Sequence, residues 1–440
     1  MLKVYRAIIR SKLNYACEVY GSACKSYLIK LNTVQNTALR ICSGAFRTSP
    51  VASLHVDCFE PPLNFIHEEL SLRFYFRILS YPHHPLNTYL LSTDLDLLYE
   101  NRPSCIPAFG LRMRNIIKRS TFSNTNVRPQ IHNSLAPWNL KGIPCLHIFN
   151  GFDKSQTPAN IFQSLFLNHR SCYKNYTDIY TDGSKIGDLV GCSVVCNNHS
   201  RSYRLPPSFS IFSAEFVAIE IALNFISIHP HRQFIIYTDS KSVLDSLQSL
   251  SCSPTFISVL NLYNDLSKKG YHILFCWVPG HVGIVGNEIA DKAAKQALNP
   301  LDLNTPYPDI KHIIKNHIRN KWQEEWNKQI NNKLYAVKPH ITCWPSTIPR
   351  KTDVLITRLR IGHSRLTHRH LLLGEPEPMC PYCFFSHLTI RHVLTDCCGL
   401  RHFYRHYFKT STPLLTNLVG ETPHSAITLF LKETGLYQNI

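Results

Sequence analysis

Ile179-Tyr180-Thr181-Asp182-Gly183-Ser184 and Ile236-Tyr237-Thr238-Asp239-Ser240 are nearly the same phrase written twice. Each is a run of β-branched and aromatic residues closed by an aspartate, the pattern of a strand that ends in a carboxylate at a turn. Between them, Ser213-Ala214-Glu215-Phe216-Val217-Ala218-Ile219-Glu220-Ile221-Ala222-Leu223 is an almost wholly apolar helix pattern whose first turn carries one acid, Glu215. After them, Trp277-Val278-Pro279-Gly280-His281-Val282-Gly283 reads as a Gly-rich loop, and Gly286-Asn287-Glu288-Ile289-Ala290-Asp291 as a helix start with a fourth acid. Working outward, the expected order is strand to Asp182, strand Leu189 to Cys196, a turn at Asn197-Asn198-His199, and strand Arg201 to Leu205. A crossover helix from Phe212 to Ile226 then leads to a buried strand, Phe234 to Asp239, parallel to the first. Both Tyr-Thr-Asp ends then face one sheet edge.

In this order over residues 178–294, the blocks Tyr-Thr-Asp-Gly-Ser, Ala-Glu, Tyr-Thr-Asp-Ser and Gly-His followed ten positions later by Asp resemble the type 1 ribonuclease H domain. The resemblance implies an α/β fold, a ribonuclease H-like mixed five-stranded sheet with flanking helices. It also implies hydrolysis of the RNA strand of RNA–DNA hybrids, with Asp182, Glu215, Asp239 and Asp291 as metal-binding catalytic carboxylates and His281 assisting departure of product or metal. Gly183 enters by the same analogy as a backbone contact near a 2′-hydroxyl. Ser184, Ser240 and Asn287 stand beside the acids in the sequence and are candidate contacts to phosphate or sugar. Only two helices fit between Asp239 and Trp277, so the basic handle helix of some family members has no place, and substrate grip is expected from neighbouring segments.

The chemistry accounts for the acids independently. Phosphodiester hydrolysis at neutral pH requires an activated water, a stabilised phosphate and a leaving 3′ oxygen, which two divalent ions about 3.5–4 Å apart supply together. Mg²⁺ takes oxygen ligands and keeps several waters, so the cofactor expected is a pair of Mg²⁺ ions, with Mn²⁺ as the substitute. Without cations, carboxylates crowded at one sheet edge repel one another and raise their own pKa values, a cost that a purely structural role would not justify.

Composition fits a polyanionic partner. Lys plus Arg number 47 against 29 Asp plus Glu, a net charge of +18 with His neutral, in a 440-residue chain that is 44% apolar. That balance points to nucleic acid, here RNA–DNA hybrid, and the length to a multidomain protein with a sizeable core. No apolar run approaches the roughly 18 residues of a membrane span, and Met1-Leu2-Lys3-Val4-Tyr5-Arg6 opens without a signal-peptide core. Sixteen scattered Cys are then expected to be mostly reduced thiols in an intracellular, non-secreted protein without a membrane partner. Nuclear or cytoplasmic location, and oligomeric state, are left open.

Residues 1–90 read as a helical region, with apolar positions Leu28, Leu31, Val34, Ala38 and Ile41, then Leu63, Ile66, Leu70, Phe74 and Ile78. Ile9 to Tyr15 and Ser43 to Pro50 resemble the segment after the polymerase core in arthropod-type non-LTR retrotransposon reverse transcriptases. No Tyr-x-Asp-Asp turn occurs in the chain, so it is expected to be the C-terminal part of a larger polyprotein, without polymerase activity. Residues 91–172 read as an irregular connector, residues 173–299 as the ribonuclease H domain, and 300–370 as a basic helical region. In that region Ile310, Ile314, Ile318, Trp322 and Trp326 form a stripe expected to be core, and Ile361 to His368 again resembles the retrotransposon segment.

Residues 371–440 form a helical C-terminal region with a zinc motif. Cys380, Cys383, His392 and Cys397 follow the spacing C-x₂-C-x₈-H-x₄-C, two ligand pairs joined by a short loop, which suits one structural Zn²⁺. Cys398 and His387 lie close enough in sequence to compete for the last positions. Two other functions are weighed beside the hybrid nuclease: a catalytically decayed module that only holds nucleic acid, and an integrase-like strand-transfer enzyme. The second is disfavoured because integrases close their carboxylate set with Glu, and here the last block closes with Ala290-Asp291.

Overall fold

The computed structural model describes residues 1–102, 104–130, 142–197, 199–249, 254–345, 349–421 and 424–440. The chain divides into two compact units, one of residues 73–314 and one of residues 1–72 with 315–440.

The unit of residues 73–314 is built on a mixed six-stranded sheet. Its strands are β1 (Cys145–Leu146), β2 (Thr177–Ile186), β3 (Leu189–Cys196), β4 (His199–Leu205), β5 (Gln233–Thr238) and β6 (His272–Trp277), in the order β1-β6-β5-β2-β3-β4. β2, β3 and β4 form an antiparallel meander, while β5 lies parallel to β2, β6 parallel to β5, and β1 parallel to β6. The five expected strands are present. The sixth, β1, comes from the segment read as connector, and two residues between Pro144 and His147 carry no alternation from which a strand could be read.

Alternation along the central strands gives the sheet two buried faces. Phe234 and Ile236 of β5, with Ile273 and Phe275 of β6, pack under α2 (Ile211–Ser227) through Phe216, Ile219 and Leu223. Ile235, Tyr237, Leu274 and Cys276 point the other way, onto Phe162 and Phe166 of α1 (Ala159–Cys172). Helices α3 (Lys241–Gln248) and α4 (Pro254–Lys268) fill the stretch between β5 and β6, and α5 (Val285–Lys295) packs across β2 and β3. The 91–172 segment thus contributes both an edge strand and the helix that covers one face of the sheet; it also contains a helix at Phe109–Lys118.

One local expectation is corrected. β2 does not end at Asp182 but runs on to Ile186, because β3 pairs with it through Ile186↔Leu189, while its parallel neighbour β5 stops at Thr238 opposite Thr181. Asp182 therefore sits where β2 outruns β5.

The other unit is helical. In the helix Lys25–Ser43 the buried positions are Gln35, Ala38, Leu39, Cys42 and Ser43, whereas Val34 and Ile41 are exposed. The inward stripe is rotated from the expected one because Gln35 is drawn in to bond the Tyr5 hydroxyl and the Pro61 carbonyl. Asp57 is buried and accepts hydrogen bonds from Trp344 Nε1 and Thr357 Oγ1, both at 3.0 Å, joining the N-terminal helices to the C-terminal segment. The Arg360 guanidinium lies 3.5 Å from the Trp344 ring centroid, and Lys338 Nζ 4.1 Å from it. On the helix Tyr307–Asn327, Ile318, Trp322 and Trp326 are core residues of this unit, while Ile310 and Ile314 of the same stripe are buried within residues 73–314. No described helix is long and apolar enough to cross a membrane.

Candidate active site and metal centres

Three elements bring acids to one sheet edge. Asp182 stands on β2, Glu215 in the second turn of α2, which begins at Ile211 rather than just before the acid, and Asp239 in the residue after β5. One carboxylate oxygen from each lies within 4.8 Å of the other two. The parallel register Thr181↔Thr238 sets Asp182 beside Asp239. Glu215 is brought in by Gly183: a Cβ there would stand 2.4 Å from the Glu215 nitrogen, so only glycine lets α2 pack this close to β2. The N-cap Ser210, whose side chain accepts from the Ser213 N–H at 3.2 Å, fixes where that helix starts.

The electrostatics are those of an acid cluster whose burial and mutual repulsion are only partly offset by Lys295, His281 and Lys154. Burial, then the Asp239 and Asp291 carboxylates, push Asp182 up to about 8. Burial, with Asp182 and Asp239 beside it, holds Glu215 well above the ordinary carboxylate range, partly offset by a hydrogen bond from the Gly183 N–H. Asp239 is also raised, mainly by burial, with the nearby His281 opposing. Among the described residues, Asp182 Oδ2 and Glu215 Oε2 are buried with no hydrogen-bond partner. Unpartnered buried carboxylate oxygens cost several kcal/mol unless something positive reaches them, and an all-oxygen donor set suits a hard divalent cation. The residues present fit such an ion.

The remaining candidates take varied positions. Asp291 on α5 is near enough to raise Asp182, but it lies outside the converged group of Asp182, Glu215 and Asp239 and is ion-paired to Lys295. His281 is exposed, with φ +57° and Nδ1 4.0 Å from Asp291 Oδ2. A non-glycine residue in the left-handed region is an uncommon conformation that clusters at functional sites. Asn287 is buried beside Asp239, where its side-chain amide favours the charged carboxylate. Ser184 is buried, and Ser240 is half-buried with its hydroxyl 3.5 Å from that of Ser242.

Three positioning residues were not read from the sequence. Ser193, paired with Asp182 across β2 and β3, donates to the Ala290 carbonyl at 2.7 Å and so pins α5 next to Asp291. Trp277 Nε1 donates to the Asp239 carbonyl at 3.0 Å. Gly280 lies against the Asp239 side chain, where a Cβ would stand 2.5 Å from Oδ2. The tight Gly280 contact was signalled by its place in the Gly-His block; the two hydrogen bonds had no local signal.

In the C-terminal region, ligand atoms of Cys380, Cys383, His392 and Cys397 all lie within 4.8 Å of one another. The Cys380 and Cys397 sulfurs are 3.7 Å apart, and Cys383 Sγ is 3.3 Å from His392 Nε2. Tetrahedral Zn–S bonds of about 2.3 Å require sulfur–sulfur edges of about 3.8 Å, so this donor set fits zinc. Hydrogen bonds, first from the Phe385 N–H, lower the Cys383 thiol to about 6, which favours the ligating thiolate. Cys398 is exposed, and His387 is directed to Glu377, 3.8 Å away; neither belongs to the cluster.

Residues 174–299 match the family model of RNase H. Pol polyproteins of equine infectious anemia virus are similar to this chain over 123 residues, at 35% identity for isolates 1369 and CL22 and 34% for strain Wyoming. The similarity covers 27% of this chain and 10% of each polyprotein. The chain thus matches about a tenth of the length of those relatives. Among solved structures, LC11-RNase H1 in complex with an RNA/DNA hybrid is 19% identical with a TM-score of 0.24, over 28% of this chain and 95% of that one. Residues 174–299 are an RNase H domain, and retroviral Pol polyproteins are homologues of the chain over 123 residues.

Proposed function

We propose that this chain hydrolyses the RNA strand of RNA–DNA hybrids endonucleolytically, using two divalent ions, as part of a retrotransposon polyprotein of the arthropod non-LTR type. The observation that carries the reading is the convergence of Asp182, Glu215 and Asp239 from three separate elements, with two of their oxygens buried and unpartnered. The retrotransposon type rests on the segments Ile9 to Tyr15, Ser43 to Pro50 and Ile361 to His368.

Bound divalent ions would supply an activated water and charge stabilisation at the phosphate and the leaving 3′ oxygen. Asp182, Glu215 and Asp239 would hold them, with Asp291 completing the set. Asn287 and the Trp277 indole keep Asp239 from both its side-chain and main-chain ends, so its carboxylate meets the substrate in one orientation. His281, exposed on its loop 4.0 Å from Asp291, would assist the departing product. The excess of Lys and Arg attracts the hybrid, and Ser184, Ser240 and the Gly183 backbone are the proposed contacts to it. Cys380, Cys383, His392 and Cys397 would hold one structural Zn²⁺ supporting the 371–440 region, whose core includes Leu355, Leu359, Leu394 and Phe430. The domain division 1–90, 91–172, 173–299, 300–370 and 371–440 is retained as a functional partition, and the protein is proposed to act inside the cell.

A gel assay of the purified chain on hybrid with labelled RNA, in Mg²⁺ and in EDTA, tests this function. Mg²⁺-dependent cuts in RNA only when it is paired with DNA are expected. An uncut hybrid in Mg²⁺ would leave the nucleic-acid-holding reading in its place.

A further inference from the structure

Next to the carboxylate edge lies a cavity of ≈160 Å³, walled by the chain from Cys145 to Phe152, by Lys241, Leu244, Asp245 and Gln248 of α3, and by Trp277. Trp277 belongs to both places, since its indole N–H bonds the Asp239 carbonyl. Phe149 is buried and meets the Trp277 ring edge-on at 6.2 Å. Lys241 follows Asp239 by two residues, with Nζ 5.9 Å from the Trp277 ring centroid, and Lys154 is near enough to Asp239 to favour its charged form.

We propose that this cavity is a nucleobase subsite, taking one base of the nucleic acid that lies across Asp182, Glu215 and Asp239 while Lys241 and Lys154 meet the flanking phosphates. The proposal rests on the hybrid-hydrolysis reading for where the nucleic acid lies. Size favours one heteroaromatic ring: cavities for whole drug-sized ligands run to about 300–1,000 Å³. The wall chemistry agrees, because Phe149, Phe152 and Trp277 offer ring faces and edges, while Asn150, Asp245 and Gln248 offer the donors and acceptors a base edge requires. The need is visible as well. Among the described residues between Asp239 and Trp277, α3 and α4 are the helices present, and the wall opposite α3 comes from residues 145–152, ahead of the matched domain. The edge strand β1 is what anchors that wall, through Phe275 N–H to the Pro144 carbonyl at 2.9 Å and the pairing with β6.

The test uses the full, zinc-loaded chain with Mg²⁺ omitted, with fluorescence anisotropy on hybrids carrying a single abasic site stepped through either strand. One abasic position is expected to weaken binding by wild type roughly tenfold, the loss of one base–aromatic stack. Phe152→Ala should weaken intact hybrid similarly, leave the salt dependence unchanged, and be indifferent to that same abasic position. Lys241→Gln should instead reduce the slope of log Kd against log salt by about one phosphate contact. The strand in which the sensitive position falls identifies whether RNA or DNA supplies the base. If Phe152→Ala fails to fold, Gln248→Ala on the opposite wall is put through the same comparison. Abasic losses that add to the Phe152→Ala or Gln248→Ala loss at every position overturn the subsite, as does absence of hybrid binding. Coupling seen in a protein that leaves hybrid uncut in Mg²⁺ would sink the nuclease reading and keep the subsite; cutting without coupling would do the reverse.

Discussion

Lys295 Nζ lies 2.8 Å from both carboxylate oxygens of Asp291, one helical turn away on α5. Among the described residues, Asp182, Glu215 and Asp239 converge with no such ion-pair partner, so a divalent ion that also used Asp291 would have to displace or share a resident ammonium.

Removing that ammonium should make the ions easier to bind. Lys295→Met is expected to lower the Mg²⁺ concentration for half-maximal cleavage, and to tighten Mg²⁺ binding measured calorimetrically without substrate. The effect should be a few-fold only, because a half-exposed ion pair contributes about 0.2–1 kcal/mol. Unchanged Mg²⁺ binding would mean that Asp291 does not compete between the two cations.

Asp239→Asn should bring hybrid cleavage down to background while changing hybrid affinity in EDTA by less than about twofold, since affinity for a polyanion comes from Lys and Arg contacts. The amide keeps the shape that Asn287 and Gly280 pack against but removes the charge and one ligand oxygen. Asp182→Asn should behave alike, and His281→Ala should slow turnover without ending it. An Asp239→Asn protein that cuts at the wild-type rate would remove this acid from the metal set.

Stability of the metal-free protein should fall as pH rises. Asp182 is raised in the folded state from an ordinary 3.8 to about 8, so between those values the folded chain binds more protons than the unfolded one. That contribution is fully present below about pH 4 and is lost as pH climbs through about 8, with Glu215 acting in the same direction. Melting temperature in EDTA, isolated by comparison with Asp182→Asn, should drop more steeply over this window for wild type. Millimolar Mg²⁺ should restore it at the alkaline end. Identical pH slopes for the two proteins would show that the cluster carries no excess protons.

Gly183→Ala should cost about 1–3 kcal/mol, the range for overpacking a well-packed contact, because the new Cβ meets backbone at the start of α2 rather than a movable side chain. Glu215 is displaced with the helix, so activity should fall further than thermal stability alone explains. A denaturation midpoint equal to wild type would contradict this account of the α2 approach.

Zinc should be present at one ion per chain in protein purified without chelator. Cys383→Ser should release it and expose residues 371–440 to limited proteolysis while leaving residues 174–299 folded. Finding no stoichiometric zinc by metal analysis would reduce the cluster to ordinary thiols.

The sequence by itself determined five of the six strands, the crossover helix and the candidate acids, because each is written in local chemistry: β-branched runs before Asp182 and Asp239, an apolar helix behind Glu215, glycines around His281. It also held the Cys380/Cys383 and His392/Cys397 pairs, whose spacing suits a tetrahedral site. Tertiary structure decided what depends on partners distant in the chain. Asp182 sits within β2 rather than at its end because β3 is long and β5 short. Leu146 becomes an edge strand because β6 has a free side, and α1 joins the core because Tyr237 and Leu274 need a cover. Asp291 stands apart from Asp182, Glu215 and Asp239 because Lys295 claims it and Ser193 pins its helix. Hydrogen-bond pairing and burial are set between segments, and no local pattern encodes which segment will arrive.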